Sequence, residues 1–306
     1  MKTHHRDAVR VLSLLGIALL AGPAPARADR MVTDQTGRRV RVPEHPARLV
    51  SLAPSVTETL FLLGLGEQVV GDTDYCEYPP AAKLKPHVGS ILNPSLEAIV
   101  ALKPDLVLGS PEANRRETAE RLARFGIPLY GVTARTVEET LASIADLGRL
   151  LGREAEATRL AGGLRGRIDA VAQRAAGGKA PRVLFVVWYR PLTTAGAGTF
   201  IGDVIRRAGG ETVSGGLPGE WPKLSLEEAL RLDPDVILFP RSESFSPDLE
   251  EFQKLPGWRD MRAVKTRRMY IISDAIIRPS PRLVDSLEEV ARILHPGGAA
   301  TEGGPR

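Results

Sequence analysis

The side chains best suited to hold a ligand are aromatic, and they are concentrated in a few loops. Aromatic residues make up only 5% of the 306-residue chain, yet several follow predicted strands, together with one acid and one base. Flat rings that face one another across a cleft suit a large, partly apolar ligand. The candidate ligand-binding residues are Tyr75, Tyr78, Trp188, Tyr189, Trp221, Asp274 and Arg278.

The sequence lacks the signatures of common enzymes. It contains no G-x-S-x-G, Walker A or dinucleotide-binding pattern. Apart from two histidines near the N-terminus, the histidines are His45, His87 and His295, and Cys76 is the only cysteine. This set indicates neither a catalytic triad nor a metal cluster, and it excludes an internal disulfide. We expect no catalytic residue, no metal ligand, no cofactor and no enzymatic activity. An extracytoplasmic enzyme is the alternative, but it would require a nucleophile or metal set that the sequence does not show.

The N-terminus is typical of a signal peptide. Basic residues precede an apolar run over 11–21, and small residues lead to a predicted cleavage site after Ala28. Residues 1–28 contain four basic residues and one acidic residue, which is +3 of the formal +4. A nucleic-acid partner is therefore not indicated. Because Cys76 is far from this site, we expect a periplasmic protein that is not a lipoprotein.

One segment of the sequence occurs twice. Residues 95–108 read SLEAIVALKPDLVL, and residues 225–238 read SLEEALRLDPDVIL. Each copy predicts a helix capped by serine, a stop at proline and a short buried strand. Glu97 and Glu227 lie in the first helical turns, where a carboxylate suits the helix dipole. The repeat predicts two similar lobes.

Strands and helices alternate in both halves, which predicts an α/β fold with largely parallel sheets. A hairpin is expected over 32–42, a strand over 48–52, and then a helix capped by Ser55 with Glu58 in a capping box. The longest helical pattern predicts one rigid connecting helix. The expected divisions are a signal peptide (1–28), an N-terminal lobe (29–135), a connecting helix (136–178), a C-terminal lobe (179–295) and a disordered tail (296–306).

Several segments resemble the helical-backbone periplasmic receptors of ABC importers, which bind cobalamin, haem or iron–siderophores. The matching segments are RLVSLAPSVTETLFLLGLGEQVVG, DYCEYPP, LEAIVALKPDLVL and EWPKLSLEEAL. The resemblance extends over about 32–294. It implies a class III periplasmic binding protein with a ligand between two lobes, which it delivers to a membrane permease with its ATPase. We expect a monomer.

Within this family, the pattern is most similar to the cobalamin (vitamin B12) receptors. The resemblance implies that Glu97 and Glu227 dock onto arginines of the permease. A tryptophan of those receptors is replaced by Ile91, so a related corrinoid is also considered. The ligand contacts that the resemblance implies are Tyr75, Trp221, Asp274, Arg278 and one of Trp188 or Tyr189.

Three alternatives remain open. Haem receptors of the family have a tyrosine before a proline, as in Tyr78-Pro79, and a tyrosinate can coordinate ferric iron, with His87 as a distant helper. Siderophore receptors need several basic groups, for which Arg190 and Arg278 are candidates. A signalling receptor would pass its ligand-bound state to a sensor. We expect cobalamin or a related corrinoid, with haem or an iron chelate as alternatives.

Overall fold

The computed structural model describes residues 28–111, 114–176, 179–241 and 247–296. The predicted signal peptide and the predicted tail lie outside these residues, apart from Ala28 and Pro296. None of the helices within the described ranges is both long and apolar enough to cross a membrane. The predicted α/β fold is confirmed, with a sheet in each half of the chain.

The N-terminal lobe contains a hairpin and a parallel sheet. Its helices are α1 (Pro54–Leu62), α2 (Leu96–Ala101) and α3 (Arg116–Arg124). Its strands are β1 (Asp29–Thr33), β2 (Arg39–Pro43), β3 (Leu49–Ser51), β4 (Val69–Gly71), β5 (Leu106–Gly109) and β6 (Leu129–Gly131). The antiparallel pair β1–β2 forms the predicted hairpin, and the parallel sheet has the order β4-β3-β5-β6.

Two antiparallel helices connect the lobes, and the prediction of one continuous helix over 136–178 is wrong. The helices are α4 (Val137–Leu151) and α5 (Glu154–Ala175). Gly152 ends α4 in the left-handed conformation, with φ 66°, which glycine adopts without the strain of a Cβ. A Cβ at Gly148 would lie 2.4 Å from the Cβ of Ala157. The two glycines therefore allow the chain to reverse and the helices to pack closely.

The C-terminal lobe contains a larger, mixed sheet. Its strands are β7 (Arg182–Tyr189), β8 (Leu192–Thr194), β9 (Glu211–Thr212), β10 (Lys223–Leu224), β11 (Val236–Pro240) and β12 (Met269–Ile272). Its helices are α6 (Phe200–Arg207), α7 (Leu226–Leu232), α8 (Leu249–Lys254), α9 (Arg262–Lys265) and α10 (Leu283–Leu294). The order is β10-β8-β7-β11-β12, and β9 also pairs with β7. The strands β9, β7, β11 and β12 are parallel, whereas β8 and β10 pair antiparallel.

Both copies of the repeated segment form the predicted helix–turn–strand unit. The Ser95 hydroxyl accepts a hydrogen bond from the Ala98 amide, and the Ser225 hydroxyl accepts one from the Glu228 amide. The residues before the two prolines, Lys103 and Asp233, both have positive φ. Each helix therefore ends in the same left-handed turn before its strand.

The aspartate of each Pro-Asp pair joins its lobe's strands. Asp105 accepts a hydrogen bond from the Arg48 amide at 3.0 Å, just before β3. Asp235 accepts one from the Arg182 amide at 2.9 Å, at the start of β7. The repeat thus encodes the same strand-to-strand contact twice, which explains why its aspartate is present in both copies.

A single apolar core extends through both lobes. Buried residues of this cluster include Leu106 in the first sheet, Ile144 in α4, Ile168 in α5, Leu238 in the second sheet and Val290 in α10. Separate clusters cover the other face of each sheet. The connection between the lobes is therefore a packed core and not a flexible linker.

The predicted capping box of Ser55 and Glu58 is not formed. Helix α1 begins at Pro54, and the preceding Ala53 has no side chain that can cap it. Glu58 lies in the middle of the helix, only 1% exposed, and accepts a hydrogen bond from Ser280. The prediction is wrong because a contact with the other lobe determines the position of this carboxylate.

Candidate ligand-binding cavity

A cavity of about 940 Å³ lies between the two lobes. This volume is near the upper end of the usual range for small-molecule sites. Residues of both lobes line it, including Tyr75 from the first and Trp221 from the second. The cavity can therefore enclose a large ligand whose two faces are contacted by different lobes.

The N-terminal wall is formed by the segments that follow the four parallel strands. Ser55 follows β3, Tyr75 follows β4, Ser110 follows β5 and Thr133 follows β6. Ligands of parallel α/β sheets bind at the carboxyl ends of the strands. Ser55, Ser110 and Thr133 were not predicted from the sequence as ligand contacts, although their positions soon after strands were a usable signal.

Aromatic rings line both sides of the cavity. Tyr75 is 53% exposed and Trp221 is 42% exposed, so both rings have free surface for a ligand. Phe200, at the start of α6, meets the Trp221 ring edge-to-face with centroids 6.3 Å apart. Phe200 was not among the candidate ligand-binding residues predicted from the sequence. Ile91 also lines the cavity.

The charged lining residues within the described ranges are Arg135, Glu220 and Arg278. Arg135 pairs with Glu220 across the lobes, with an N–O distance of 3.3 Å. Arg278 pairs with Asp274 at 2.8 Å. Each guanidinium in the wall therefore has a carboxylate partner, which compensates its charge.

Two of the predicted binding residues support the wall from outside. Asp274 is not among the lining residues and pairs with Arg278, which is one of them. Tyr78 also lies outside the lining, and the Arg282 guanidinium lies over its ring at 4.1 Å from the centroid. Both residues therefore hold arginines that follow β12.

Trp188 and Tyr189, at the end of β7, are not among the residues that line the cavity. Tyr189 packs against Phe252, with ring centroids 5.7 Å apart, beside an apolar cluster of the C-terminal lobe. The Trp188 indole donates a hydrogen bond to the Arg190 carbonyl at 2.9 Å. The β7–β8 hairpin thus places both rings outside the cavity lining, and a contact of one of them with the ligand stays a prediction.

Among the described residues, no group of three or more His, Cys, Asp or Glu side chains could hold a metal ion. His87 lies outside the cavity lining, and its Nδ1 is 2.8 Å from the Asp72 carboxylate. Burial raises the pKa of Asp72 to about 6, and the hydrogen bond with His87 offsets part of this effect. His87 is therefore engaged with a buried acid near β4.

Glu97 and Glu227 are exposed in the first turns of α2 and α7. Hydrogen bonds from the Glu97 amide and from the Ser95 hydroxyl lower the pKa of Glu97. Neither residue lines the cavity. The repeated acid is thus a surface feature of each lobe and is separate from the candidate ligand site.

Two α/β lobes with a cavity between them, joined through a packed helical connection, define a solute-binding protein. The chain belongs to the periplasmic binding protein family, whose sequence profile matches residues 49–275. This is a family of binding proteins and not an enzyme family.

Known members of the family show how far the similarity extends. The vitamin B12-binding protein of Pectobacterium carotovorum is 30% identical, over 84% of this chain and 92% of that protein. The crystal structure of the periplasmic vitamin B12-binding protein BtuF of Vibrio cholerae has a TM-score of 0.72 and 25% identity, covering 81% of this chain and 96% of that chain. The periplasmic haem-binding protein RhuT from Roseiflexus sp. RS-1 has a TM-score of 0.74 and 29% identity, covering 82% of this chain and 99% of that chain.

Proposed function

We propose that the protein is an extracytoplasmic receptor that binds cobalamin or a related corrinoid and delivers it to an ABC importer. The observation that carries this proposal is the interlobe cavity of about 940 Å³, with Tyr75 and Trp221 on its walls. Similarity to vitamin B12-binding proteins supports it. In this function the protein binds and releases its ligand without chemical change.

The chemistry of the walls suits a corrinoid. The corrin ring presents apolar faces to Tyr75 and Trp221, and its peripheral amides can donate to and accept from the polar wall. Arg135 and Arg278 already have carboxylate partners. The cavity therefore favours a ligand with neutral amides at its periphery over a ligand with several carboxylates. Asp274 contributes by orienting Arg278.

Haem is the second candidate ligand. Tyr75 places a phenol in the cavity wall, and phenolate oxygen is a known ligand of ferric haem iron. Similarity to the haem-binding protein of Roseiflexus supports this alternative. A haem with its two propionates would have to compete with Glu220 and Asp274 for Arg135 and Arg278.

The transport role rests on the two exposed acids. Glu97 and Glu227, one on each lobe, would pair with arginines of a permease that works with an ATPase. We propose that a monomer acts in the periplasm after cleavage behind Ala28, without a lipid anchor. The proposed lobes are residues 29–135 and 179–295, and the packed core between them predicts little closure on binding.

The test is co-elution of the mature chain, from Asp29 onward, with cyanocobalamin or haemin in separate gel-filtration runs. The expected result is that the corrin absorption bands elute with the protein at one ligand per chain. If cyanocobalamin elutes free while haemin elutes with the protein and shows a shifted Soret band, the corrinoid proposal is wrong and the haem alternative replaces it.

A further inference from the structure

Glu58 is a buried carboxylate of the N-terminal lobe whose partners belong to the C-terminal lobe. The Ser280 hydroxyl donates to its Oε2 at 2.6 Å. The Nη1 atoms of Arg282 and Arg278 lie 3.4 and 3.8 Å from its Oε1. Burial raises the pKa of Glu58, and these partners offset only part of that effect. A carboxylate in such a position is unfavourable without partners, so its contacts across the lobes are specific.

Arg278 connects this carboxylate to the cavity. Its side chain lines the cavity wall, although only 20% of it is exposed. Its Nη1 lies 2.8 Å from Asp274 on the same turn and 3.8 Å from Glu58 on the other lobe. Two acids, one from each lobe, therefore hold one guanidinium at the ligand site.

The neighbouring Arg282 completes the arrangement without lining the cavity. It contacts Glu58 and Asp274, at 3.4 and 3.9 Å, and covers the Tyr78 ring. Movement of the Glu58 carboxylate would therefore leave both arginines with Asp274 as their acidic partner. Because Arg282 is outside the cavity lining, the effect of Glu58 on a ligand must pass through Arg278.

We propose that Glu58 is a positioning residue, which fixes the Arg278 guanidinium on the cavity wall and links it to the N-terminal lobe. The role of Arg278 as a ligand contact rests on the proposed function. Arg278 belongs to the C-terminal lobe, but its guanidinium is oriented by Glu58 of the N-terminal lobe. The affinity for a ligand that binds Arg278 therefore depends on how the two lobes are positioned relative to each other.

A ligand-free experiment tests the positioning itself. Phenylglyoxal modifies accessible guanidinium groups, and mass spectrometry measures the rate at Arg278. In Glu58→Gln the rate should rise several-fold, since the guanidinium loses its charged partner on the N-terminal lobe and is held by Asp274 alone. Ser280→Ala, which keeps both charges, should raise the rate less, and it provides the test if Glu58→Gln does not fold. An unchanged rate in the folded variant would overturn the proposal.

The matched control is Glu288→Gln. Glu288 pairs with Arg167 at 2.8 Å, joining α10 to α5, and lies outside the cavity lining. This variant removes an ion pair between the connecting helix α5 and the C-terminal lobe. It should leave the modification rate at Arg278 unchanged. If it raises that rate as much as Glu58→Gln does, the effect reflects general loosening and the positioning role is wrong.

A double-mutant cycle then tests the effect on binding. Glu58→Gln should weaken cyanocobalamin binding about tenfold in the wild-type background but less than about twofold in Arg278→Ala. An equal fold-loss of cyanocobalamin affinity in both backgrounds would show that Glu58 does not act through Arg278. If the wild type does not bind cyanocobalamin, the proposed function fails, whereas the phenylglyoxal rates still decide the positioning role.

Discussion

Arg135 and Glu220 form an ion pair between the two lobes, in the wall of the cavity. Both side chains are largely exposed, at 65% and 48%, and a pair of this kind contributes little to folding stability. Its position at the ligand site indicates another role. The pair neutralises the cavity wall beside Trp221 and joins the two lobes there.

The first prediction concerns this pair. Arg135→Glu and Glu220→Arg, made singly, should each weaken cyanocobalamin binding several-fold, because like charges then face each other across the lobes. The double exchange should restore the affinity to within about twofold of the wild type. Titration calorimetry measures the dissociation constants of the three variants and of the wild type. A double variant that binds as weakly as the poorer single variant would show that the pair does not act as a unit.

The second prediction compares two tryptophans with the same exposed fraction, 42%. Trp221 lines the cavity and Trp188 does not. Trp221→Ala should weaken cyanocobalamin binding about tenfold, because it removes a stacking surface. Trp188→Ala should change the affinity less than about twofold. Equal losses in the two variants, measured by the same titration, would contradict the assignment of the cavity.

How much of the structure the sequence predicts depends on how far apart in the chain the interacting residues are. The repeated segment predicted two lobes because its caps, prolines and strands are local signals, and the structure confirms them at Ser95 and Ser225. The connecting helix was wrongly extended because helix propensity does not show that Gly148 packs against Ala157. Interactions between residues close in the chain could thus be predicted from the sequence, whereas packing contacts between helices could not.

The site shows the same limit. Tyr75 and Arg278 lie at the cavity in segments that follow the parallel strands β4 and β12, and Trp221 lies there just before β10. Tyr189 also ends a strand, but its ring packs on Phe252, and side-chain direction within a hairpin is not evident from the sequence. Glu58 has capping-box spacing, yet its partner Ser280 is 222 positions away. A contact over that separation has no signal in a single sequence.

The third prediction concerns pH and Asp72, which is fully buried. Its pKa is raised from 3.8 to about 6, so the folded state holds the proton more tightly than the unfolded state. The resulting stability is complete below about pH 4 and is lost as the pH rises through about 6. Relative to Asp72→Asn, the wild type should lose up to about 3 kcal/mol of unfolding free energy between pH 4 and pH 7.

Urea unfolding at several pH values measures this difference. Asp169 lies on the exposed side of α5, and Asp169→Asn is the control. Its unfolding free energy should change with pH in parallel with that of the wild type. If the wild type and Asp72→Asn also give parallel curves, Asp72 does not titrate in this window and the expected pH dependence is refuted.

The fourth prediction concerns transport. Glu97→Arg combined with Glu227→Arg should reduce importer-dependent cyanocobalamin uptake to background, because arginines of the permease would be repelled. Binding should remain within about twofold of the wild type, since neither residue lines the cavity. Uptake into proteoliposomes that contain the cognate importer measures the first effect, and calorimetry measures the second.

Matched controls exist in the same lobes. Glu117 and Glu250 are also exposed acids in the first turns of helices, α3 and α8. Glu117→Arg combined with Glu250→Arg changes the net charge equally and should leave uptake near the wild-type rate. Uptake that persists in the Glu97 and Glu227 variant, or that is lost equally in both variants, would refute a specific docking role.

The most direct test of the central claim is titration calorimetry of the mature protein with cyanocobalamin. The account predicts saturable binding of one molecule per chain with a dissociation constant below about 1 μM, and loss of most of that affinity when Tyr75→Ala and Trp221→Ala are combined. Absence of binding heat with cyanocobalamin, alongside saturable binding of haemin, would contradict the corrinoid assignment.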